Sequence, residues 1–194
     1  MAAISLAVSQ GHAPVPAEPA PHAVMLRAPP RLSTRMILPA YRVAPSLIQG
    51  AGKGLFLDEA VAAGRIIVAP DAIPRVYRWE ELMQLTDAED LLAATVRWFE
   101  DRYTVTPEWP DECYINHAFE PSALWHLGFV FARRDLVAGE EITVDYRHLL
   151  GPGQEESFRD ALSGRAIVGH AWDESLRLSS AELAALLASA AEPG

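Results

Sequence analysis

The chain has 194 residues, half of them hydrophobic, which allows one compact domain with a buried core and some additional segments. Sixteen Lys and Arg against twenty-six Asp and Glu leave a net charge of −10, which repels phosphate backbones, disfavours direct nucleic-acid binding and suits a basic peptide better. No apolar run reaches bilayer-spanning length, residues 2–8 are too short and lack a preceding basic region for a secretory signal, and the single Cys113 can form neither an internal disulfide nor, alone, a structural zinc site; a cytoplasmic protein without membrane contact is expected.

Residues 1–33 are rich in Ala and Pro (Pro14, Pro16, Pro19, Pro21, Pro29, Pro30) and have no apolar periodicity, so a mobile arm is expected there. Short β-like runs follow at 36–43, 54–57 and 65–69, separated by Gly50-Ala51-Gly52 and by Gly64. The character then changes over 79–102. Thr86 and Glu89 fit a capping box, and Leu91, Leu92, Thr95, Val96, Trp98 and Phe99 recur at helical spacing, which predicts one or two helices as an insert at about 79–105. After the turn-forming stretch 107–111, β signals return at 122–133 and 141–146, joined through Val137-Ala138-Gly139. Helical patches at 154–162 and 179–190, the second with Ser179 and Glu182 as a capping box and Leu183, Leu186 and Leu187 as its stripe, make 151–194 a helical C-terminal extension. Together these give an α+β domain, mainly β, without βαβ alternation; no Gly-x-Gly-x-x-Gly follows a strand, which disfavours a Rossmann fold.

Three segments hold the residues that could carry chemistry. Gly50, Gly52 and Gly54 free the backbone for unusual φ and for close approach to a ligand, although a plain hairpin turn uses glycine in the same way. Asn116 and His117 lie between apolar Ile115 and Phe119, so their polar atoms should be buried with partners. Tyr146 ends a strand-like run, and alternation places it on the face of Ile142 and Val144, where its hydroxyl needs a partner; a core tyrosine at a strand end would look the same. His12, His22, His126, His148 and His170 show no metal-ligand spacing, so no metal is expected.

In their order and separation, Gly50-Ala51-Gly52-Lys53-Gly54-Leu55-Phe56-Leu57 with the following 61–67, Tyr114-Ile115-Asn116-His117-Ala118-Phe119-Glu120-Pro121, and the run from Ala132 to Tyr146 with its Gly139-Glu140-Glu141 resemble the SET-domain family in its bacterial form, over about residues 36–150. The resemblance implies a SET-type fold at 34–150, of several short-stranded sheets with a knot-like crossing. It also implies a methyltransferase that carries a methyl group from S-adenosylmethionine to a lysine side chain of a basic protein or peptide, histone-like or other. Cofactor contact would fall to Lys53, Gly54 and Leu55, largely through backbone atoms, and to Asn116, His117 and Tyr146, with Tyr146 also the catalytic residue and His117 not a base. A gapless alignment from Asn116-His117 puts Trp125 at a place where some members carry an aromatic of the lysine channel, although core packing accounts for Trp125 equally well; Tyr114, Val144 and Tyr77 are further channel candidates. Ala118, Phe119 and Ser122 stand where the family often has Ser, Cys and Asn, although Phe in the second place is also tolerated. No cysteine cluster follows Tyr146, so the zinc-bound flap of many eukaryotic relatives is missing, and part of the channel wall must come from the tail after Leu149, a partner or the substrate. A degenerate module that only binds protein, and methylation of a small amine, are the alternatives.

Overall fold

The computed structural model describes residues 36–70, 76–85, 95–106 and 109–190. All of them belong to one compact unit, Thr34–Gly194; the expected arm at 1–33 lies outside the described residues. The elements in chain order are β1 (Tyr41–Pro45), β2 (Lys53–Leu57), β3 (Ile66–Val68), β4 (Val76–Tyr77), α1 (Trp79–Leu82), β5 (Thr95–Phe99), β6 (Arg102–Val105), a 3₁₀ turn (Asp111–Tyr114), β7 (Asn116–His117), β8 (Ala123–His126), β9 (Phe129–Ala132), β10 (Glu141–Val144), a second 3₁₀ turn (Tyr146–His148), β11 (Glu155–Arg159), β12 (Ala166–Val168) and α2 (Trp172–Ala190).

The strands form four small sheets, ordered β1-β2-β10-β7, β3-β9-β8, β4-β6-β5 and β11-β12, so the fold is mainly β with few helices, as expected. The β8–β9 hairpin closes through Leu127 and Gly128, both with positive φ (50° and 85°), the two-residue turn whose twist matches that of its strands. The main core gathers Leu55 and Leu57 of β2, Ile67 and Val68 of β3, Val130 and Ala132 of β9, and Ile142 and Val144 of β10. All four residues of β10 are buried, because the strand is flanked by β2 on one side and β7 on the other and is covered on both faces.

Three sequence expectations change. Helix over 79–105 reduces to the single turn α1, and 95–105 is the β5–β6 hairpin; Thr95, Val96, Trp98 and Phe99 are β-branched or aromatic, and pairing with β6 outweighs their helical spacing. The Thr86–Glu89 capping box and Leu91 and Leu92 lie outside the described residues. The helical patch at 154–162 is instead β11, paired antiparallel with β12. The last helix starts at Trp172 rather than at Ser179, with Asp173 and Glu174 in its first turn, where the helix dipole favours acids. Ser179 is therefore inside α2 and its hydroxyl bonds His126 Nδ1 at 2.9 Å, not the helix start. An Arg133–Glu182 ion pair adds to the docking of α2. No described helix is long and apolar enough to cross a membrane.

Candidate active site

Strand β10 brings the three motifs together. On one edge it pairs antiparallel with β2 (Glu141↔Phe56, Ile142↔Leu55); on the other it pairs parallel with β7 (Thr143↔Asn116, Val144↔His117). Asn116 Nδ2 then donates to Lys53 O at 2.8 Å, with Glu141 Oε1 at 3.0 Å and Ser46 Oγ at 3.3 Å. An amide nitrogen has two hydrogens, so one of these is shared between acceptors. The buried Glu141 carboxylate also accepts from Ser46 Oγ (2.6 Å) and Leu47 N (2.8 Å). It lies so close to Gly54 that a Cβ there would overlap Oε1 and sit 2.8 Å from Cδ, so a side chain at this position has to displace the hydrogen-bonded carboxylate. Gly50 and Gly52 have positive φ (83° and 76°) and open space where a Cβ would stand, leaving the main chain of the β1–β2 loop approachable. Lys53 Nζ lies 5.4 Å from the Tyr114 ring centre.

Tyr146 does not continue the strand. β10 ends at Val144, and Asp145 caps the second 3₁₀ turn by accepting from Arg147 N at 3.0 Å, so the expected strand face shared with Ile142 and Val144 gives way to a turn that still packs the ring on the core. The Tyr146 backbone N–H donates to His117 Nδ1 at 3.1 Å. A backbone N–H can only donate, so Nδ1 carries the lone pair and neutral His117 is the Nε2–H tautomer. Among the described residues Nε2 finds no hydrogen-bond partner; Asp160 Oδ1 is 3.9 Å away. Burial pushes the His117 pKa down, against opposing pulls from Asp145 and Asp160. Its basic nitrogen is already occupied, and it fastens the tyrosine-bearing turn to β7. The Tyr146 hydroxyl donates to Ile115 O at 2.8 Å. Burial, then the Glu156 and Cys113 charges, push the phenol pKa well above its ordinary value, so it stays protonated at neutral pH.

The described ring contacts of Tyr146 are with His117 (centres 5.4 Å apart) and with Phe158 (6.3 Å, edge-on). Phe158 and Glu156, both on β11, are site neighbours that a helical reading of 154–162 hides; the signal was one aromatic in an otherwise polar stretch. Among the channel candidates, Val144 is buried beside His117, and Tyr114 ends the 3₁₀ turn under Lys53. Trp125 is half-buried on β8 against the main core, and Tyr77 lies in the β4-β6-β5 sheet opposite Tyr103. Sequence reasoning also missed Ser46 and Glu141, whose Gly-Glu-Glu context reads as a turn, and Arg97. Arg97 is fully buried on β5 and donates to His170 O (2.9 Å) and His148 O (3.4 Å). The His148 pKa is lowered to about 4, chiefly by burial and further by His170, Arg147 and Arg97.

Residues 52–147 match the family model described as the SET domain, and the match spans all three motifs from Gly52 to Tyr146. No curated protein matches the chain.

Proposed function

We propose, since the chain belongs to the SET-domain family, that it is an S-adenosylmethionine-dependent methyltransferase acting on a lysine side chain of a basic protein or peptide. The observation that carries this reading is the single strand β10, beside which Asn116 bonds the glycine segment at Lys53 O and the adjacent His117 bonds the backbone of Tyr146.

The residues fit such a cofactor. An approachable glycine backbone beside Lys53–Leu55, with Asn116 fixing the Lys53 carbonyl, suits the amine and carboxylate of a methionine moiety, which main-chain N–H and C=O groups can hold. When bound, S-adenosylmethionine supplies an electrophilic sulfonium methyl that an amine nitrogen takes in line, the carbon–sulfur bond breaking as the carbon–nitrogen bond forms. Lysine must arrive neutral, and its reference pKa of about 10.4 falls in an apolar setting. Tyr146 cannot remove that proton, because it remains a phenol, and His117 cannot, because its free lone pair already accepts from Tyr146 N; the proton leaves to solvent. Since the Tyr146 hydroxyl spends its one hydrogen on Ile115 O, its oxygen lone pairs are left to orient an amine N–H and a polarised methyl C–H. Catalysis is then positioning and electrostatics. Phe158 and Glu156 of β11 lie beside Tyr146, the ring available to pack on the lysine stem and the carboxylate to attract the lysine before it gives up its proton. The net charge of −10 favours a basic substrate.

Calorimetric titration of the full chain with S-adenosylmethionine tests this directly. We expect saturable binding and a raised melting temperature, about 2.7 kcal/mol at a hundredfold excess over Kd. Absence of both heat and thermal shift at millimolar cofactor would overturn the reading.

A further inference from the structure

Asp145, His148 and His170 are too irregularly spaced in sequence to suggest a metal, yet the fold gathers them so that one ligand atom from each lies within 4.8 Å of the others. They come from three places: the end of β10, the close of the second 3₁₀ turn and the segment leading into α2. His170 N donates to Arg147 O at 2.9 Å, and the buried Arg97 guanidinium bonds the carbonyls of both histidines, so the backbone on which the two imidazoles stand is pinned.

Each ring is also oriented from outside the cluster. His148 Nδ1 meets Ser175 Oγ at 2.8 Å, and His170 Nδ1 meets Glu174 Oε2 at 3.2 Å, both partners belonging to the first turns of α2. With Nδ1 engaged in each case, Nε2 is the nitrogen left to ligate; a hydroxyl or carboxylate behind each imidazole is the usual way a protein fixes the tautomer and direction of a ligand histidine. The rings lie 5.3 Å apart at 50°, so they are not stacked on each other. Two imidazoles and one carboxylate suit zinc and its first-row neighbours, whereas calcium and magnesium need more oxygen. Arg147 donates to both oxygens of the Asp145 carboxylate (N and Nε to Oδ1, each 3.0 Å; Nε to Oδ2, 2.8 Å; and Nη2 to Oδ2), so a metal must share that carboxylate with a guanidinium, which weakens the site relative to a closed four-ligand zinc centre and leaves its remaining positions to water.

We propose that Asp145, His148 and His170 form a divalent transition-metal site of the zinc class, which staples the start of α2 to the turn that carries Tyr146. It stands apart from the methyl-transfer reading, because it rests only on these side chains. The test is titration of chelator-treated full-length protein with Co²⁺, followed by visible d–d absorption and by displacement with Zn²⁺. We expect one ion per chain, and a loss of affinity of about tenfold or more in His148→Ala and in His170→Ala. His126→Ala and a His12→Ala/His22→Ala variant should bind as wild type. If His148→Ala fails to fold by circular dichroism, His170→Ala carries the test alone, its side chain being less deeply packed (14 % exposed). No cobalt band in the wild type, or a band undiminished in folded His170→Ala, overturns the proposal.

Discussion

Gly54→Ala adds a single methyl group at the point where β2 meets β10. The new Cβ would overlap Glu141 Oε1 and stand 2.8 Å from Cδ, so the carboxylate must withdraw. It then loses its bonds from Ser46 Oγ (2.6 Å), Leu47 N (2.8 Å) and Asn116 Nδ2 (3.0 Å). Hydrogen bonds to a charged group contribute about 1.5–3 kcal/mol each. The loss is smaller than their sum, because Leu47 is largely exposed and water can replace the carboxylate there, while Asn116 keeps Lys53 O. We expect a net cost of about 2–3 kcal/mol, which for a domain of this size lowers Tm by about 4–12 °C. A double-mutant cycle isolates the cause. Glu141→Ala empties the space the methyl needs, so Gly54→Ala should cost little in the Glu141→Ala background, and the cycle should show a coupling of about 2 kcal/mol in urea denaturation. Additive costs would refute the collision and leave Gly54 as an ordinary strand residue.

Asn116→Asp sets a second carboxylate against that of Glu141 and removes the donor to Lys53 O, so it should cost on the order of 2–4 kcal/mol at neutral pH; the like charge raises the introduced group's folded pKa above its unfolded one, and part of the loss should return as pH falls through that raised value in urea melts. Tyr146→Phe removes only the bond to Ile115 O, and its stability should fall by about 0.5–1.5 kcal/mol by the same measurement. Burial lowers the folded pKa of both His117 and His126 below the ordinary 6.5. Their contribution is therefore full above that value and lost as pH falls through the folded values, and the loss between pH 7.5 and pH 5 should be smaller in His126→Gln than in the wild type.

The parts of the candidate site are local in sequence: a glycine turn, an Asn-His pair and a tyrosine just beyond a strand keep their character wherever the chain places them. What brings them together, the β2-β10-β7 order, is a long-range pairing that periodicity does not encode. The misread segments fail for the same reason. Residues 95–99 satisfy helical and strand spacing equally, and only β6, with Val105, Thr104 and Tyr103 across the ladder, decides between them. Residues 155–159 carry little apolar signal, and their strand exists because 166–168 pairs with it. Ser179 resembled a helix cap because its partner, His126, is 53 residues away. Arg97 offers no hint in sequence that its guanidinium is buried and tied to carbonyls of His148 and His170.

The most direct measurement on the central claim is transfer of isotope-labelled methyl from S-adenosylmethionine to lysine in a basic protein mixture, by wild type and by Tyr146→Phe at matched cofactor saturation. We expect labelled N-methyl-lysine with the wild type and a fall of about tenfold or more with the variant, at least about 1.4 kcal/mol of transition-state stabilisation, while cofactor affinity hardly moves. Equal transfer by both proteins, or none by a wild type shown to bind the cofactor, would contradict the assignment of Tyr146 to the chemistry.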